Sequence, residues 1–159
     1  MGKREFCGWY LYGLLKSYEF LVLIVGFAVW YFGRRYLCVY TDKLFASTDA
    51  INWIAVVAPG CFITYMVEIK NIWNPSHEHV KIFQQWPDFE MIKAYCYAGI
   101  TYGLLASIAS VFLWLVGDNV CSACRIIGWL VSIAVAGIVA VSGSIAENEV
   151  LESLNKIEK

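Results

Sequence analysis

Six cysteines and two histidines are the residues of this chain best suited to metal or redox chemistry. Only Cys121 and Cys124 have motif spacing, as Cys-Ser-Ala-Cys. Structural zinc takes four ligands, and one thiol pair leaves the set half filled. His77 and His79 could complete it, but the topology derived below puts them across the membrane from the cysteines. No metal site is therefore expected. Cys121 and Cys124 read either as an extracytoplasmic disulfide or as ordinary packing thiols. Cys7, Cys38, Cys61 and Cys96 are spread out and read as small core residues. His77, Glu78 and His79 offer alternate residues to one face only in an extended loop, and a solvated pair is the plain reading. No serine has the glycine-flanked setting of a nucleophile elbow, and no glycine run suits a phosphate loop. The chain is expected to be no enzyme and to hold no cofactor.

The most chemistry-rich hydrophilic stretch is residues 68–93, which interleave Lys70, Lys81 and Lys93 with Trp73, Phe83, Trp86 and Phe89. Aromatic faces can stack bases while ammonium groups neutralise phosphates, so a nucleotide or oligonucleotide is one ligand such a segment could take. A regulatory protein is another. The alternative is a cap whose aromatic rings sit at the lipid headgroup level. The candidate contacts are Lys70, Trp73, His77, His79, Lys81, Trp86 and Lys93.

These residues are held by long uncharged runs. The chain has 159 residues, 60% of them hydrophobic, with a mean hydropathy of +0.60. Residues 50–67, 94–117 and 126–146 contain no Asp, Glu, Lys or Arg, and each is long enough to cross a bilayer core of about 30 Å as a helix. A shorter run, 20–33, becomes a span over about 17–36 if Lys16 and Glu19 neutralise each other one turn apart and Arg34 and Arg35 snorkel. The expectation is an all-α integral membrane protein forming a single membrane domain over residues 1–159. It has four transmembrane helices, an N-terminal interfacial helix at 1–16, a cytoplasmic loop at 68–93 and a short cytoplasmic helix at 147–159. Trp9, Tyr10 and Tyr12 suit a headgroup belt. Ser47-Thr48-Asp49 suits a helix start. Pro59-Gly60 should bend the second span, which could shape packing or act as a hinge.

Small residues recur every fourth position in the last two spans: Gly99, Gly103 and Ser107, then Gly128, Ser132, Ala136, Ala140 and Ser144. Helices in lipid associate by close contact and hydrogen bonding rather than by hiding apolar surface, so these stripes are expected packing seams, within a protomer or between protomers. A mid-membrane ionisable group, which ion-coupled transport needs, is missing. Past residue 146 the fourth helix should continue, with Val150, Leu154 and Ile157 at coiled-coil spacing. Glu147, Glu149 and Glu152 would then ring a cation-favouring mouth in an oligomer, or form a solvated face in a monomer.

Lys3, Arg4, Lys16, Lys70, Lys81, Lys93, Lys156 and Lys159 fall on one side of four spans; Arg34, Arg35, Lys43 and Arg125 fall on the other. That bias predicts both termini in the cytoplasm and the cell (inner) membrane as the location. In overall architecture such a chain resembles the membrane effectors of bacterial anti-phage defence operons, of the Hailong or Kiwa type. The resemblance implies an oligomeric channel or membrane sensor opened or held shut by a cytoplasmic ligand or partner. Two functions are accordingly expected. The first is a homo-oligomeric channel, tetrameric, gated from the cytoplasmic side. The second is a non-conducting anchor or assembly subunit that docks a cytoplasmic partner.

Overall fold

A run of apolar residues in lipid has to satisfy its backbone internally, and a helix does so within one segment. The computed structural model describes residues 3–44, 49–73, 89–116 and 121–157, and among these every element is helical. They form α1 (Lys3–Lys16), α2 (Tyr18–Leu44), α3 (Asp49–Trp73), α4 (Phe89–Leu115) and α5 (Ser122–Ile157). Three of them are long and apolar enough to cross a membrane, within Trp53–Lys70, Phe89–Leu115 and Ser122–Asn148. The stretch Glu5–Lys16 with Tyr18–Gly33 passes the same test only as a pair, bent by 43°.

The bend has a local cause. Ser17 interrupts the helix: its hydroxyl donates to the Leu14 carbonyl at 3.2 Å and accepts the Phe20 amide at 3.3 Å. It thus closes α1 and caps α2 with one side chain. The expected Lys16–Glu19 pair is not formed. Lys16 donates to the Tyr12 hydroxyl at 2.5 Å and lies over its ring, while Glu19 is buried. The reason is the break itself, since Lys16 and Glu19 stand on two different helices rather than one turn apart on one.

The bundle is organised around α5, which packs against α2, α3 and α4; α3 also packs on α4, and α1 on α4. The core joins Ala58, Tyr65 and Ile69 of α3 to Tyr102 and Ala106 of α4 and to Val135, Ala136 and Val139 of α5. Large side chains such as Phe27, Phe32, Trp53, Ile63, Leu105, Ile108, Phe112 and Leu130 point outward and are exposed. In water that surface would be a severe liability; in lipid it is the required one. Helices α4 and α5 form the expected antiparallel hairpin. The Trp129 indole donates to the Ser110 carbonyl at 3.1 Å, and the Ser110 hydroxyl passes the chain on to the Ala55 carbonyl at 3.0 Å.

Three expected boundaries move, the first where α2 runs on to Leu44, past the span end expected near residue 36. The hydrophilic stretch 68–93 loses both ends to helix, because α3 runs on to Trp73 and α4 begins at Phe89. Glu68, read from sequence as the first loop residue, is therefore on the α3 face opposite Ser144. The helix passes through Pro59 as one element. Ser47 and Thr48 lie outside the described residues, and α3 starts at Asp49.

Candidate functional site

Of the seven contacts expected in the hydrophilic stretch, His77, His79, Lys81 and Trp86 lie outside the described residues. Lys70 is exposed at the end of α3. Trp73 is half-buried, with its ring 5.1 Å from that of Tyr97 and packed against Ile72. Phe6 meets the same tyrosine edge-on at 6.0 Å, so Trp73 closes an aromatic cluster tying α1 and α3 to α4. Lys93 faces Glu90 at 4.0 Å one turn away, a contact that contributes little on its own.

Three of the eight small residues, Gly103, Ser132 and Ala136, are buried within a single chain, and the other five are half-buried. A methyl on Gly103 would lie 3.0 Å from Phe62 Cε2 and closer still to Cδ2, and one on Gly99 would lie 2.6 Å from Tyr65 Cζ. Both glycines thus receive aromatic side chains of α3. Gly128 receives Leu113, and Ser107 folds back onto the Gly103 carbonyl at 2.7 Å. Ala140 is half-buried and its carbonyl accepts from Ser144 at 3.3 Å. Of the acidic residues past the bundle, Glu147 is half-buried, and Glu149 and Glu152 continue α5.

The cysteine expectation divides. Cys121 is disulfide-bonded, whereas Cys124 is a free thiol whose sulfur accepts the Trp30 indole N–H at 3.2 Å. A bridge between Cys121 and Cys124 is therefore not formed. Cys124 lies at the start of α5, turned toward α2, and one turn of helix cannot bring both thiols together while the second serves Trp30.

Two acidic residues are drawn inside at the end of the bundle where α1 stops and α2 starts. The Ser144 hydroxyl donates to Glu68 Oε1 at 2.5 Å, while Glu68 Oε2 is buried without a hydrogen-bond partner. Gly143 makes room for it: a methyl there would lie 2.7 Å from Oε2 and 2.6 Å from Tyr65. Tyr65 stands between the carboxylates, its hydroxyl donating to the Cys96 carbonyl at 3.1 Å. On its other side a cavity of about 460 Å³ opens, lined by Tyr12, Lys16, Glu19, Tyr65, Tyr95 and Ser142 among others. Glu19 is 7% exposed and, among the described residues, has neither a hydrogen bond nor an ion pair. Its carboxylate faces that cavity from the first turn of α2, where the helix dipole favours a negative charge.

No family model matches the chain, and no curated protein or solved structure does.

Sequence reading missed Glu68 and Glu19 as site residues, and missed the tyrosines around them. The usable signal was position: each acid lies within one helical turn of an uncharged run, where modest helix extension carries it inward. Among the described residues no group of three His, Cys, Asp or Glu side chains could hold a metal ion.

Proposed function

We propose that this chain is a four-span protein of the cell membrane, with both termini cytoplasmic, that acts as a non-conducting anchor and docks a cytoplasmic partner. In that reading α2 supplies the first span and α1 is the interfacial helix leading into it. The disulfide at Cys121 supports the orientation, since such bonds persist on the oxidising side of a membrane, opposite the lysine-rich end.

The observation that carries the non-conducting reading is where the polar side chains go. Ser110 and Ser132, two of the hydroxyls a narrow pore could use, are buried between helices of one chain, while Thr64 and Ser142 are exposed and the Thr64 hydroxyl donates back to the Gly60 carbonyl of its own helix. The outward faces that neighbouring copies could present to a central axis carry mainly Leu, Ile, Val, Phe and Trp. A path between copies would be walled by large apolar groups, which exclude water and ions.

The docking element is the end of α5. Ala146 still packs beside Ile72, where α3 is about to end, yet α5 continues to Ile157 for about three further turns. That projecting rod also favours the second reading, a homo-oligomeric channel effector of the anti-phage type, because Val150, Leu154 and Ile157 could bundle copies around an axis.

Two measurements separate the readings. Tagged full-length protein should retrieve a stoichiometric cytoplasmic partner that a chain ending at Ala146 does not. Purified protein in liposomes should pass no cations with or without added nucleotides or oligonucleotides. Cation flux abolished by removing residues 147–159 would overturn the anchor reading in favour of the channel.

A further inference from the structure

The cavity beside Glu19 does not end at its polar lining. Tyr102, whose hydroxyl donates to the Leu14 carbonyl at the α1–α2 break, also lines a second recess of about 510 Å³. That recess is a slot between α2 and α4 floored by α5, and its walls include Leu23, Phe27, Leu105, Ala109, Leu113 and Val131. It exists because α2 meets the rest of the bundle chiefly through α5, leaving its α4 side open. From Tyr102 to Leu113 the helix rises about 16 Å, roughly the depth of one leaflet of the hydrocarbon core. The first recess carries the charged groups, the second is almost wholly apolar, and Tyr102 stands on the wall of both.

We propose that the two recesses together hold a single phospholipid with an ethanolamine headgroup, its ammonium on Glu19, its phosphate at Lys16 and an acyl chain in the α2–α4 slot. Charge selects this occupant. Glu19 is 7% exposed, has no hydrogen bond or ion pair among the described residues and lies on the cavity wall, so a cationic occupant that donates hydrogen bonds is the one that complements it. Lys16, exposed at the rim, gives one hydrogen to Tyr12 and keeps two for an anion. A primary ammonium a few atoms from a phosphate supplies both charges in one headgroup. A glycerol headgroup carries the same phosphate but only neutral hydroxyls, which can hydrogen-bond Glu19 without neutralising it. This inference uses the membrane-spanning part of the proposed function but not the partner-docking part.

The test is native mass spectrometry of the full-length protein in detergent, with dioleoyl-phosphatidylethanolamine and dioleoyl-phosphatidylglycerol added in equal amounts. The wild type should retain the ethanolamine lipid at least tenfold over the glycerol lipid. Glu19→Gln, which keeps the shape and removes the charge, should bring that ratio close to one. Ala109→Trp adds bulk in the slot at an exposed position remote from the headgroup cavity and should lower ethanolamine-lipid retention about tenfold. Equal retention of the two lipids by the wild type, or an unchanged ratio in a folded Glu19→Gln, would overturn the proposal. If Glu19→Gln does not fold, Ala109→Trp decides, and undiminished retention by that variant refutes it. Partner retrieval through the α5 end is read separately, so failure here leaves the docking reading standing.

Discussion

Gly99→Ala is the sharpest perturbation of the packing described above. The added methyl would lie 2.6 Å from Tyr65 Cζ and 3.1 Å from Cε1, and closer still to the hydroxyl. Tyr65 is buried, with Gly143 and Glu68 on one side and the cavity beside Glu19 on the other, so relieving the clash means moving the ring off its packed position toward that cavity. Displacing it costs about 1–3 kcal/mol as overpacking. The shift also parts the hydroxyl from the Cys96 carbonyl, now bonded at 3.1 Å, and leaves a buried donor unmatched for about another 1–3 kcal/mol. Against this, alanine favours helix over glycine by about 1 kcal/mol. The net is a loss of about 3 kcal/mol, or a fall of about 6–12 °C in thermal midpoint for a chain of this size. Circular dichroism melting in detergent reads it. Tyr65→Phe in the Gly99→Ala background removes the closest clashing atom and should recover about 1–2 kcal/mol relative to additivity. Should Gly99→Ala melt at or above the wild type, the account of α4 glycines as sockets for α3 aromatics is wrong.

The same chemical change has the opposite sign at Gly137, where a methyl meets nothing within 4 Å: Gly137→Ala should stabilise by about 0.5–1 kcal/mol in the same assay. A loss there, with a smaller particle on size exclusion, would mean that copies pack through that face. Ser144→Ala takes away the hydrogen bond to Glu68 Oε1 and, with Oε2 already unpartnered, should cost about 1.5–3 kcal/mol; adding Glu68→Leu should recover much of it. Cys121→Ser should raise by one the thiols that maleimide labels in denaturant without reductant, because it frees the partner of the disulfide. A count lower by one would mean that Cys121 is a free thiol.

The sequence by itself determined that the chain is helical and that three of its helices are long and apolar enough to cross a bilayer. Both follow from charge-free length, because burying charge in lipid is so unfavourable that the limits of a span are written in composition. It also determined the α4–α5 hairpin, through the shortness of the link, and the continuation of the last helix past Ala146. Tertiary structure alone decided which face of each helix looks inward. In water an amphipathic pattern gives that answer, but a membrane helix is apolar all round and its two faces differ only in shape. So the stripe from Gly128 to Ser144 was legible as a seam, while its partners on α2, α3 and α4 were not. Gly99 and Gly103 were legible as small, but the aromatic rings of Tyr65 and Phe62 that fill them come from another helix. The fates of Glu19 and Glu68 rested on the same ground. Each stands at the edge of a span, and only the packing of α5 against α2 and α3 turned those edges into the interior.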